Sequence, residues 1–223
     1  RTTFTREVGI VTLELSGAYT LLIEGPVGMT GQTSYRFNAQ RIADDVKPLV
    51  FGQAQGIDNR QWTAGQLGGG ALYLDGAMYG EVAASASLSI ARNLSVEAWI
   101  KVDRFADSSS TPILYKGNGT SNQRNYSLWV NPNGSVTFSS SYDFTQEVAL
   151  TSAAGLIGVD EWHHVAATLD RNAQVIHIYV DGVDQPMGGA GITYSFYSAF
   201  LSPNNPLRIG RSLEAVGNFE GTI

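Results

Sequence analysis

Apolar and polar residues alternate along much of this chain, the period of a strand with one buried face. The clearest run covers 159–183. Val165, Ala167 and Leu169 recur at every second position, Ile176, Ile178 and Val180 do so again, and Asp170-Arg171-Asn172 between them has turn chemistry. This predicts a hairpin whose second strand closes at Asp181-Gly182. In 95–103, Val96, Ala98, Ile100 and Val102 form one face and Glu97, Trp99 and Lys101 the other. Strands are predicted over 71–74, 80–82, 95–102, 112–115, 126–130, 135–139, 162–169, 175–180 and 207–209, and no helical period lasts beyond a turn or two. The pattern predicts an all-β, two-sheet jelly-roll sandwich.

The first forty residues repeat the alternation on a smaller scale. Val11, Leu13 and Leu15, then Tyr19, Leu21 and Ile23, then Thr33, Tyr35 and Phe37 predict a short N-terminal β-meander over 1–40. Three strands alone leave a sheet face and an edge uncovered. The segment is therefore expected to complete a sheet with upstream chain or to pack on the larger domain. Residues 41–70, with Pro48 and several glycines, read as a linker, and 71–223 as the main domain.

The wording Trp162-His163-His164-Val165-Ala166 followed by Ile178-Tyr179-Val180-Asp181-Gly182 resembles laminin-G-like domains of the concanavalin A-like lectin/glucanase type. The segments 71–82, 95–103 and 207–223 agree with it in order. The phrases at 17–25 and 34–38 are similar to the closing strands of pre-peptidase C-terminal domains, which make 1–40 a partial small sandwich. The resemblance implies a bacterial extracellular or cell-surface protein of several domains, with neighbouring domains of the same polypeptide as partners. It also implies that the closing strand of the jelly roll follows Ile223 and occupies the middle of a sheet, so the chain is expected to be a fragment that lacks it. A fold of this kind hosts glycan binders, adhesion modules and hydrolases alike.

Composition narrows these classes. The chain has 223 residues and is 43% hydrophobic, enough for a real core. Its charged fraction of 15% is low, against about 25% in an average domain. A net charge of -6 without a basic cluster argues against nucleic acid and against an anionic membrane. There is no cysteine, hence no disulfide and no thiolate zinc site. No apolar run approaches the length of a membrane span, so any export signal is expected outside these residues.

Catalysis on a sandwich strand needs two carboxylates on one face, about 5 Å apart for a retaining glycosidase. Here Glu97 stands alone on its strand, Glu147 has only Asp143 nearby, and Asp160-Glu161 point to opposite faces. No G-x-S-x-G nucleophile turn occurs either. The expectation is a protein that is not an enzyme, serving in recognition of a polysaccharide or a cell-surface glycan or protein. The rival readings are an architectural spacer without a ligand and a glycan-degrading enzyme or its accessory domain.

His163 and His164 face opposite sides of one strand, so at most one can join His177, too few ligands for zinc. They are expected to be packing residues beside a buried Trp162. Asp75, in Leu74-Asp75-Gly76, lies where the resemblance implies a structural calcium ligand. Its other reading is a turn residue bonding its own backbone. Aromatic rings are the remaining binding candidates, because sugar C–H faces stack on them. Tyr194, Phe196, Tyr197 and Phe200 occupy a connection longer than a hairpin needs, and Tyr142 and Phe144 occupy another. These loops either bind the ligand or cap the sandwich. The mixed aromatic and polar strand faces, with Trp99, Trp129, His177 and Tyr179, read as a binding sheet or as outer core.

Overall fold

The computed structural model describes residues 49–52, 62–67, 70–91, 93–120, 123–141, 147–171, 173, 175–185, 204–214 and 216–223. The chain divides into two units, Arg1–Ile42 and Ala43–Ile223, and all described residues belong to the second. The expected N-terminal meander and the six loop aromatics Tyr142, Phe144, Tyr194, Phe196, Tyr197 and Phe200 lie outside them.

Fourteen strands are described: β1 (Leu49–Gly52), β2 (Trp62–Ala64), β3 (Gly70–Asp75), β4 (Tyr79–Val82), β5 (Leu94–Val102), β6 (Thr111–Gly117), β7 (Arg124–Val130), β8 (Val136–Ser141), β9 (Glu147–Thr151), β10 (Trp162–Asp170), β11 (Val175–Val180), β12 (Val183–Asp184), β13 (Leu207–Ile209) and β14 (Glu220–Thr222). A 3-10 turn covers Ala86–Leu88. Strand pairing gives a first sheet in the order β1-β4-β13-β6-β7-β8-β9 and a second in the order β12-β11-β10-β5-β14-β3-β2. All the strand pairings are antiparallel.

The two-residue period places one face of each sheet in a shared core. Leu74, Ile100, Val165 and Ile178 from the second sheet are fully buried with Leu128, Val136 and Phe138 from the first. Each such side chain contributes about 1.5–3 kcal/mol on leaving water. The predicted hairpin forms in register, with Val165 opposite Val180 and Leu169 opposite Ile176. Asp181 and Gly182 both have positive φ, 52° and 78°, the two-residue turn whose twist matches the joined strands.

Two readings of the sequence change. Residues 41–70 contain β1 and β2, so this stretch supplies an edge strand to each sheet and is more than a linker. Residues 139–148 are only partly a connection: β8 runs to Ser141 and β9 begins at Glu147. In the second sheet β14 lies between β3 and β5. Glu220 lies opposite Asp75, Thr222 lies opposite both Tyr73 and Lys101, and Leu72 and Ile223 exchange backbone bonds of 2.7 and 2.9 Å. Gly221 permits this insertion: at φ 142° a Cβ there would lie 2.1 Å from the Lys101 carbonyl oxygen.

Candidate functional site

Each sheet also has an outer face, and both carry aromatic and polar side chains. On the first sheet, one row crosses six strands in register: Glu81, Arg208, Tyr115, Ser127, Ser139 and Ala149. Tyr115, Ser127 and Ser139 are fully buried although they point away from the core. Their hydroxyl groups are satisfied. Ser127 and Ser139 share a bond of 2.7 Å, the Trp129 Nε1–H donates to Ser127 at 2.7 Å, and Tyr115 accepts the Gly119 N–H at 2.9 Å. The Tyr115 and Trp129 rings meet edge to face at 5.8 Å.

Arg124 holds this face shut. Its guanidinium lies 4.8 Å from the Trp129 ring centre and donates through Nε and Nη2 to both oxygens of Glu214, at 2.7 and 2.5 Å. Nη1 reaches Ser139 at 3.0 Å and also bonds Glu147. The two carboxylates come from β9 and from the segment after β13, so one arginine ties both to β7. The Arg124 and Glu214 side chains are only 14% and 9% exposed. Burial pushes the Glu147 carboxyl above its ordinary range despite the adjacent guanidinium. Burial would lower Arg124, but its bonds to Glu214 and the charges of Glu147 and Glu214 outweigh that and raise it. With its donors committed on both edges, this arginine is a clamp.

The second sheet differs. Glu97, Ala166, Tyr179 and Asp184 form one row, Ser95, Thr168 and His177 the next, and Trp99 faces His164 on the other side. None of Tyr73, Trp99, Trp162, His164, His177 and Tyr179 is fully buried, and Tyr73 is 38% exposed. Trp99 and His164 lie 5.3 Å apart, and His177 stacks on Tyr179 at 5.9 Å and 26°. Carboxylates accept only, so His177 donates Nδ1–H to Asp184 at 2.9 Å. His164 Nε2 lies 3.6 Å from Glu97. Small side chains at Ser95, Ala166 and Thr168 leave room between the rings. The row with His177 ends in a shallow groove of about 570 Å³, lined by Asn93, Ser95, Thr168, Asp170 and Val175 as well.

His163 belongs to neither surface. Its Nε2 accepts the Gly158 N–H at 3.1 Å, so Nδ1 carries the proton and donates to Asp181 at 2.8 Å. Asp181 also accepts the His164 N–H at 2.8 Å. Burial would raise this carboxyl, but the bonds from His163 and His164 outweigh it and hold it below the usual aspartate range. Trp162, expected in the core, sits half-buried on the outer face opposite Lys101, because even positions of β10 point outward.

Asp75 ends β3 as a turn residue. Its Oδ1 accepts the N–H groups of Ala77 and Met78 at 2.9 and 3.0 Å. Glu220, opposite it, is held by Arg104 at 2.6 and 3.1 Å. Among the described residues, no group of three or more His, Cys, Asp or Glu gathers in one place. No helix among them is long and apolar enough to cross a membrane.

This two-sheet sandwich has a known class. Residues 74–223 match the laminin G type of the concanavalin A-like lectin/glucanases superfamily, and the chain belongs to that family. A carbohydrate-binding module (CBM40) of the Ruminococcus gnavus IT-sialidase, bound to alpha2,3 sialyllactose, superposes with a TM-score of 0.50 at 12% identity, over 69% of this chain and 85% of that one. The leech intramolecular trans-sialidase, complexed with 2,7-anhydro-Neu5Ac, gives 0.54 at 10% identity over 69% of this chain and 24% of its own. The enzymatically active domain of bacteriophage CBA120 tailspike protein 2 gives 0.54 at 12% identity over 83% and 29%. No curated protein matches the chain significantly.

Proposed function

We propose that this chain is a noncatalytic recognition module of an extracellular protein and binds carbohydrate across the outer face of its second sheet. One observation carries the reading: six rings share that face, none fully buried, with small side chains between them and a groove at one end. Stacked rings with a few polar groups between them suit a sugar, which offers C–H faces and hydroxyls to the same surface. The fold it shares with a sialyllactose-bound binding module supports the class of ligand. Against catalysis stands the chemistry of the described carboxylates. Glu147 and Glu214 are bound to Arg124, Glu220, opposite Asp75, is bound to Arg104 while Asp75 bonds its own turn, and Glu97 and Asp184 lie at opposite ends of a four-residue row. The six aromatics at 142, 144, 194, 196, 197 and 200 are proposed as further contacts.

A glycan array probed with the wild-type chain and with Tyr179→Ala tests the reading. The expected result is retention of at least one glycan by the wild type, lost in the variant, with the melting midpoints close together. An array on which the folded wild type retains nothing would leave the spacer as the better account.

A further inference from the structure

The charge on the open face is one-sided. The strands of the second sheet carry five acidic side chains, Asp75, Glu97, Asp170, Asp184 and Glu220, and a single cation, Lys101. The strands of the first sheet carry Lys116, Arg124 and Arg208 against Glu81 and Glu147. Around the rings the imbalance is sharper. Glu97 and Asp184 bracket the row that holds Tyr179, with side chains 73% and 50% exposed, and Asp170 lines the groove. Asp181 adds a carboxylate at the adjoining turn. Lys101 is itself 4.0 Å from Asp160.

We infer that this face selects by charge, and that its ligand is a glycan carrying no acidic group. The inference rests on the proposed function and deepens it. Exposed carboxylates accept hydrogen bonds from sugar hydroxyls, which favours uncharged rings. A ligand carboxylate, sulfate or phosphate among the same rings would find like charge on three sides, and the described guanidinium groups nearest it are engaged elsewhere. Arg104 is bonded to Glu220, and Arg124 lies on the other sheet. At separations of several ångströms in a water-like medium, two or three such repulsions weaken binding about tenfold.

The test uses the full chain and matched pairs: uncharged oligosaccharides such as N-acetyllactosamine, their sialylated, sulfated or uronic-acid counterparts, and de-N-acetylated amino forms. The uncharged and amino members are expected to bind, and each acidic counterpart to bind about tenfold more weakly. The gap should narrow in Glu97→Gln/Asp184→Asn and, for the unaltered chain, at high salt, where screening acts. Acidic members that bind equally or better would overturn the charge inference while leaving the recognition reading intact. So would a gap that neither the variant nor salt changes. A folded chain that retains no member of any pair would overturn both.

Discussion

The two outer faces of this sandwich use similar residues and reach opposite states. On the first sheet, Tyr115, Trp129 and two serines lie beneath a clamp in which Arg124 bonds Glu147 and Glu214. On the second, Trp99, Tyr179 and two histidines keep partial access to solvent, and their carboxylate partners are exposed. The residues alone do not decide between a binding face and a covered one. The decision comes from whether a charged side chain can recruit another segment across the sheet, as Arg124 recruits the segment carrying Glu214.

The sharpest way to break the comparison is to cut the clamp. Arg124→Met should cost about 3–5 kcal/mol, since it leaves two buried carboxylates without their cation, and thermal melting reads the loss. An unchanged midpoint would mean that the first face is wet and the clamp idle. Trp162→Ala comes next, at about 1–2 kcal/mol. Its half-buried ring forfeits less than the 3–5 kcal/mol typical of a core tryptophan, so its midpoint should fall less than that of Phe138→Ala.

Asp181→Asn should cost about 1 kcal/mol at neutral pH, from weakened bonds to His163 and His164. Asparagine tolerates the positive φ at this turn, so the substitution isolates the charge. The folded carboxyl is held below its ordinary value, so its contribution is complete above the usual aspartate range, about pH 4, and fades as pH falls through the folded value. The melting curves of wild type and variant should therefore converge in acid. Smallest of all is the stability effect of His177→Ala, within about 0.5 kcal/mol for a partly exposed residue, and binding rather than melting should register it.

The alternating strands were legible because each of β5, β10 and β11 sends alternate residues into the core, and a period of two reports that directly. The same rule puts Glu97, Trp99, His177 and Tyr179 on an outer face. It also puts Trp162 outward with the other even positions of β10; the expectation of a buried ring there came from the family wording around it, not from the period. β9 was not among the predicted strands, and its Glu147 is bound to Arg124. Nothing local announces the clamp, since Arg124 and Glu214 are joined only when β13 is laid beside β6. The one available hint was the run Val136-Thr-Phe-Ser-Ser-Ser141, in which Thr137, Ser139 and Ser141 stand on the outward side of a strand and both serines are buried. Asp75 was legible as a turn residue, since the Leu-Asp-Gly wording needs only local bonds.

Hydroxyl-radical footprinting of the full chain, with and without a glycan retained on the array, tests the open-face account most directly. The account predicts rapid oxidation of Tyr73, Trp99 and Tyr179, slow oxidation of Tyr115 and Trp129, and glycan protection confined to the first group. Faster labelling of Tyr115 and Trp129, or glycan protection of that pair, would contradict it.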